Sequence, residues 1–182
     1  MSTVKMMKQD RRYPYCDGYC FQAVRLPYGN GAFAMTVLLP KKGYKVADVA
    51  KALREGDWEE FRSSFSSTEV DLWLPRFETK YSIKLNDILS AMGMPSSFDS
   101  AKADFKAMSN YAGYLSFVKQ DAAIKVDEEG TEAAVVSSAG MMKESAMPAD
   151  NVVFHADHPF LYLITEQATG VVLFAGRYAN IK

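Results

Sequence analysis

Between residues 125 and 148 the sequence reads K-V-D-E-E-G-T-E-A-A-V-V-S-S-A-G-M-M-K-E-S-A-M-P, and no other stretch narrows the possible folds as much. Up to Glu128 it continues the strand alternation of Ile124 and Val126. From Glu129 the side chains turn small: Gly130, Thr131, Ala133, Ala134, Val135, Val136, Ser137, Ser138, Ala139, Gly140. So few large anchors bury little apolar area, which predicts an exposed loop. Yet Thr and Val favour strands, nothing bulky bars entry into a packed sheet, and no proline intervenes before Pro148. Composition alone leaves two readings: a flexible Ala/Ser linker, or a loop able to become a strand.

Antiparallel strands are expected before that stretch. Tyr13-Pro14-Tyr15-Cys16 and the run from Tyr19 to Leu26 flank Asp17-Gly18, a two-residue hairpin signal. Residues 32–39 form a nearly continuous apolar strand ended by Pro40. Val46, Val49, Ala50 and Leu53 keep helical spacing until Gly56. Asp57 then caps a second helix, with Glu60 completing a capping box and Trp58, Phe61 and Phe65 on the apolar side. Residues 69–78 alternate as a strand, residues 85–92 form a helix stopped by Gly93 and Pro95, and residues 96–108 are polar and irregular. Residues 115–126 make the strand that delivers the loop; 160–165 and 171–179 make two more, joined near Gly170.

A chain of 182 residues, 48% hydrophobic, has the material for a real core in one domain. A net charge of −1 argues against a nucleic-acid partner, no apolar run reaches membrane-span length, and no signal peptide is visible after Met1. Cys16 and Cys20 lack a second ligand pair for zinc and read as ordinary strand residues.

Val126-Asp127-Glu128-Glu129-Gly130-Thr131-Glu132-Ala133-Ala134 closely resembles the hinge of the reactive-centre loop in serpins, the serine protease inhibitor family. Phe154-His155-Ala156-Asp157-His158-Pro159-Phe160-Leu161-Tyr162-Leu163-Ile164 resembles that family's C-terminal signature, and Phe174-Ala175-Gly176-Arg177 its closing strand. Leu26-Pro27-Tyr28 with the strand up to Pro40 is similar to the serpin B-sheet core, and Leu74-Pro75-Arg76-Phe77 to the Leu-Pro-Lys/Arg-Phe signature. The resemblance covers nearly all of residues 1–182, as the C-terminal portion of a serpin domain whose N-terminal half is absent. It implies an α+β fold with several antiparallel-rich sheets and a few short helices.

The resemblance also implies a mechanism. A serine or cysteine endopeptidase attacks the loop as substrate and forms an acyl-enzyme. The cut loop then inserts into the large sheet and distorts the protease before deacylation. Only one flank of that slot, the strand at 115–126, lies in this chain, so the chain alone is expected to be inactive. By correspondence the hinge is Glu128, Glu129, Gly130, Thr131, Glu132, Ala133 and Ala134, with Arg76 the ionic partner of Glu128. Counting forward from Gly130 puts the reactive bond at Glu144-Ser145. A hinge one residue shorter points to Lys143, and counting back from Phe154 points to Ala146, beside Met147. Most of the family carries a histidine where this chain has Gln120. No cofactor or metal is implied, and family habit alone suggests an extracellular or extracytoplasmic location.

Two rival readings stand beside this one. A Cys/His hydrolase built from Cys20 with His155 or His158 has no supporting motif, and His155-x-x-His158 on an extended segment would point its rings to opposite faces. A non-inhibitory serpin-fold carrier or chaperone is the stronger alternative. Small or β-branched residues at Thr131 and Ala133 to Ala139 favour inhibition over it.

Overall fold

The computed structural model describes residues 4–110, 113–128 and 151–179. The chain divides into two compact units, one built from Met1–Phe77 and Lys125–Lys182, the other from Glu78–Ile124.

The first unit holds a seven-stranded sheet in the order β7-β4-β1-β2-β3-β8-β9. Its strands are β1 (Met6–Asp17), β2 (Phe21–Tyr28), β3 (Phe33–Pro40), β4 (Ser66–Pro75), β7 (Val152–His155), β8 (Phe160–Glu166) and β9 (Val172–Tyr178). Neighbours run antiparallel except β4 and β7, which are parallel. β3 is the sheet's most buried strand, with Ala34, Met35, Val37 and Leu38 inside, as its nearly continuous apolar run predicts. Val70, Leu72 and Leu74 of β4 are buried too, and the period-2 pattern leaves Glu69, Asp71 and Trp73 on the opposite face.

Two helices lie against this sheet, α1 (Val46–Glu55) and α2 (Trp58–Ser63). The Asp57 carboxylate accepts the Glu60 N–H at 2.9 Å, which caps α2 as expected. Phe61 meets Phe21 and Phe65 edge-on, beside a buried cluster that contains Cys16, Cys20, Leu38 and Val49. Trp58 Nε1 donates to the Gly170 carbonyl at 3.0 Å and Arg62 Nη2 to that of Gln167 at 2.6 Å, tying α2 to the β8–β9 turn. Gly170 has φ +75°, and an added Cβ would sit 2.5 Å from the Arg62 guanidinium, so this turn needs glycine twice over.

In the second unit, β5 (Phe77–Lys84) pairs with β6 (Lys119–Val126), strands whose outermost residues belong to the first. Between them come α3 (Asn86–Ala91) and a 3-10 turn at Pro95–Phe98. The Asn86 side chain donates to the Ser116 carbonyl and accepts the Val118 N–H, pinning the chain's return. α3 buries none of its residues, and Tyr81, Met92, Met108 and Phe117 are exposed.

Several expected boundaries move. Asp17 pairs with Gln22, so the chain reverses over residues 18–21 and not over Asp17-Gly18 alone; the Phe21 ring lies over Gly18, where a Cβ would meet it at 2.9 Å. β1 begins at Met6, because pairing with β4 recruits a polar segment that has no strand pattern of its own. Pro40 ends inside β3, paired with Phe21. The expected strand at 69–78 is β4, starting earlier and stopping at Pro75; Phe77 starts β5. The helix expected at 85–92 shortens to Asn86–Ala91, the strand expected from 115 starts at Lys119, and that expected at 171–179 runs Val172–Tyr178. β7 has no counterpart among the sequence expectations.

Candidate functional site

The site is the segment between β6 and β7, with the groups that hold its two ends. β4 buries Val70, Leu72 and Leu74, and Pro75 is fully enclosed, so the next residue, Arg76, emerges at the strand's end. Its backbone N–H donates to the Lys5 carbonyl at 2.9 Å, fixing where the side chain starts. β6 ends on the buried Val126, and two residues later the Glu128 carboxylate pairs with the Arg76 guanidinium. The hydrogen bond from Arg76 holds the Glu128 carboxyl below its usual range, with smaller help from the charges of Arg76 and Lys5. Both side chains remain about two-fifths exposed, so solvent screens the pair strongly.

Residues 129–150 lie outside the described residues. With them lie the hinge positions Glu129, Gly130, Thr131, Glu132, Ala133 and Ala134, and the reactive-bond candidates Lys143, Glu144, Ser145, Ala146 and Met147.

Beyond the segment, β7 joins the sheet edge alongside β4, with Val70 opposite Val152 and Trp73 opposite His155. Phe154 points into the core and is fully buried. On the other face the His155 ring stacks on Trp73, centroids 4.0 Å apart, and its Nε2 lies 2.7 Å from Asp71 Oδ2. Trp73 Nε1 donates to the other oxygen of Asp71 at 2.9 Å, and the Lys8 ammonium sits 3.6 Å from the Trp73 ring centroid. The Asn151 amide donates to Asp10 at 2.8 Å.

The remaining reactive side chains have structural partners. His158 is held between Asp157 and the Pro40 carbonyl, away from the Asp71 contact of His155, so the two histidines do not converge. Cys16 and Cys20 are buried free thiols, and burial pushes the Cys20 thiol up, away from the thiolate a nucleophile needs. Among the described residues no group of His, Cys, Asp and Glu is placed to hold a metal, and no helix is long and apolar enough to cross a membrane.

A family model described as serpin, serine protease inhibitor, matches residues 1–181. Human Serpin B8 is 34% identical across 98% of the chain and 48% of its own length. The leukocyte elastase inhibitor of Xenopus laevis is 36% identical across the same shares. Among solved structures, a serpin from the trematode Schistosoma haematobium superposes with a TM-score of 0.83 at 26% identity, covering 100% of this chain and 48% of that one. The chain belongs to the serpin family. It has the family's α+β fold and spans about half the length of the relatives it matches.

Sequence reasoning missed the Asp71–His155–Trp73 arrangement altogether. The signal was present in β4, whose polar face carries an acid and an aromatic two positions apart. Nothing local marked Val152–His155 as their partner, since four residues show too little alternation to read.

Proposed function

We propose that this chain is the loop-bearing portion of a serpin-type protease inhibitor, a suicide substrate for a serine or cysteine endopeptidase. One observation carries the reading: both ends of the segment at 129–150 are fastened to β4. Glu128 is held by Arg76, just past the strand's end, and β7 pairs along the strand from Val70 to Trp73. Along a strand, the distance from Val70 to Arg76 is about 20 Å. A segment of this length reaches roughly 70 Å when extended. Such slack is more than a connection needs and suits a loop that offers a bond to a protease and then moves.

The protease nucleophile attacks the carbonyl carbon of Glu144, and the amine of Ser145 leaves as the acyl-enzyme forms. Gly130 lets the chain turn where it leaves the strand, and Thr131, Ala133 and Ala134 are small enough to follow into a sheet. The slot's second flank comes from the N-terminal half of the domain, so the chain alone does not inhibit. An extracellular or extracytoplasmic location is proposed on family habit alone, and fractionation of producing cells tests it.

Intact-mass analysis of the whole protein after incubation with glutamyl endopeptidase, trypsin and elastase tests the mechanism. A covalent adduct with one of them, with release of a fragment beginning at Ser145, is expected. A fragment beginning at Glu144 moves the bond to Lys143, and one beginning at Met147 moves it to Ala146. Clean cleavage without an adduct by any protease favours the non-inhibitory carrier instead.

A further inference from the structure

β7 is short and, among the described residues, lies at a sheet edge with β4 as its one strand partner, so its ladder holds it weakly. Its side chains meet an unusual surface. Asp10 of β1 and Asp71 of β4 stand directly opposite each other in the antiparallel register. Facing carboxylates repel, and such pairs destabilise a sheet. Here each carboxylate is bonded by a residue from the β7 segment: Asp71 by His155 and Asp10 by Asn151. Of the cations two residues either side of Asp10 on β1, Lys8 lies over the Trp73 ring and Arg12 pairs with Glu69.

We propose that Asp10 and Asp71 form a charged seat for β7, and that His155 and Asn151 are the positioning residues that occupy it. The sheet tolerates the facing acids while β7 is docked and loses that relief when β7 leaves, so the pair penalises undocking. On the reading that residues 129–150 are the reactive loop, the seat keeps the downstream flank in place while the upstream flank is free to move. His155 acts through Asp71 and Trp73 and touches no reacting atom.

The test is hydrogen exchange of the β7 amides in the whole protein, with those of β2 and β3 as internal controls. His155→Ala leaves Asp71 facing Asp10 with the Trp73 indole N–H but without its partner from β7, and β7 exchange is expected to quicken by about tenfold. Adding Asp71→Asn removes the repulsion and is expected to return exchange to within about threefold of wild type. A merely structural contact would show no such relief, since the second substitution would slow nothing. Asn151→Ala, relieved by Asp10→Asn, gives the same comparison at an exposed position should His155→Ala disturb folding. Unchanged exchange in both alanine variants, or failure of both asparagine substitutions to relieve it, overturns the proposal. Because no protease is involved, failure here is separate from failure of the inhibitor reading, which the adduct experiment decides.

Discussion

The two ends of the loop are fastened in different ways. Upstream, β6 pairs with β5 as far as the buried Val126, and beyond it Glu128 is held by a part-exposed ion pair with Arg76, of a kind that water and salt weaken. Downstream, β7 has a parallel ladder to β4, the enclosed Phe154 and a stacked His155 on the far face. The upstream end is thus cheap to release, and the downstream end is built to stay. That asymmetry is what a loop needs if it is to move into a sheet from its upstream side alone.

Three substitutions probe this difference, in falling order of effect. On the proposed mechanism Thr131 is the first residue to insert, and Thr131→Pro bars it from a ladder, because proline lacks the N–H and fixes φ. It is expected to abolish the covalent adduct while leaving cleavage intact; persistence of the adduct on gels would show that insertion does not start there. Phe154→Ala empties a fully enclosed site on β7, at a cost of about 3–5 kcal/mol in chemical denaturation. A loss under about 1 kcal/mol would mean that the downstream end is no better packed than the upstream one.

Glu128→Gln gives the smallest change. The Glu128 carboxyl is depressed by Arg76, so the pair's contribution is full above the unfolded carboxyl range near pH 4.3 and fades as pH falls through the lower folded value. The difference in melting temperature between wild type and Glu128→Gln should therefore be measurable at neutral pH and low salt, and vanish in acid or in molar salt. A difference that persists in both would show that Glu128 acts through packing instead of charge.

Much of the fold was legible because it rests on local pattern. The nearly continuous apolar run before Pro40 reads as a buried strand, and Asp57 ahead of Trp58, Phe61 and Phe65 announced α2 and its cap. The break after Pro75 was not legible: the alternation from Val70 carried the expected strand on to residue 78, whereas β4 stops at Pro75 and β5 starts at Phe77. The candidate loop rests on composition alone: its small side chains predict little apolar burial, and that expectation falls on residues 129–150, outside the described residues. The expectation that Arg76 and Glu128 pair came from family resemblance, since periodicity relates no residues so far apart.

Other features exist only through contacts between distant segments. The first half of β1, polar and without alternation, is a strand because β4 supplies its hydrogen-bond partners from Met6 to Tyr15. β7 is a strand because β4 offers it an edge, and four residues carry no signal of that. Asp10 and Asp71 become a facing pair only through the register of β1 on β4, and a slip of one residue would send one of them to the other face. Period and side-chain volume are properties of a short window of chain, so they can be read from it. Register, edges and charge pairs across strands belong to two or more segments at once, and only their packing together settles them.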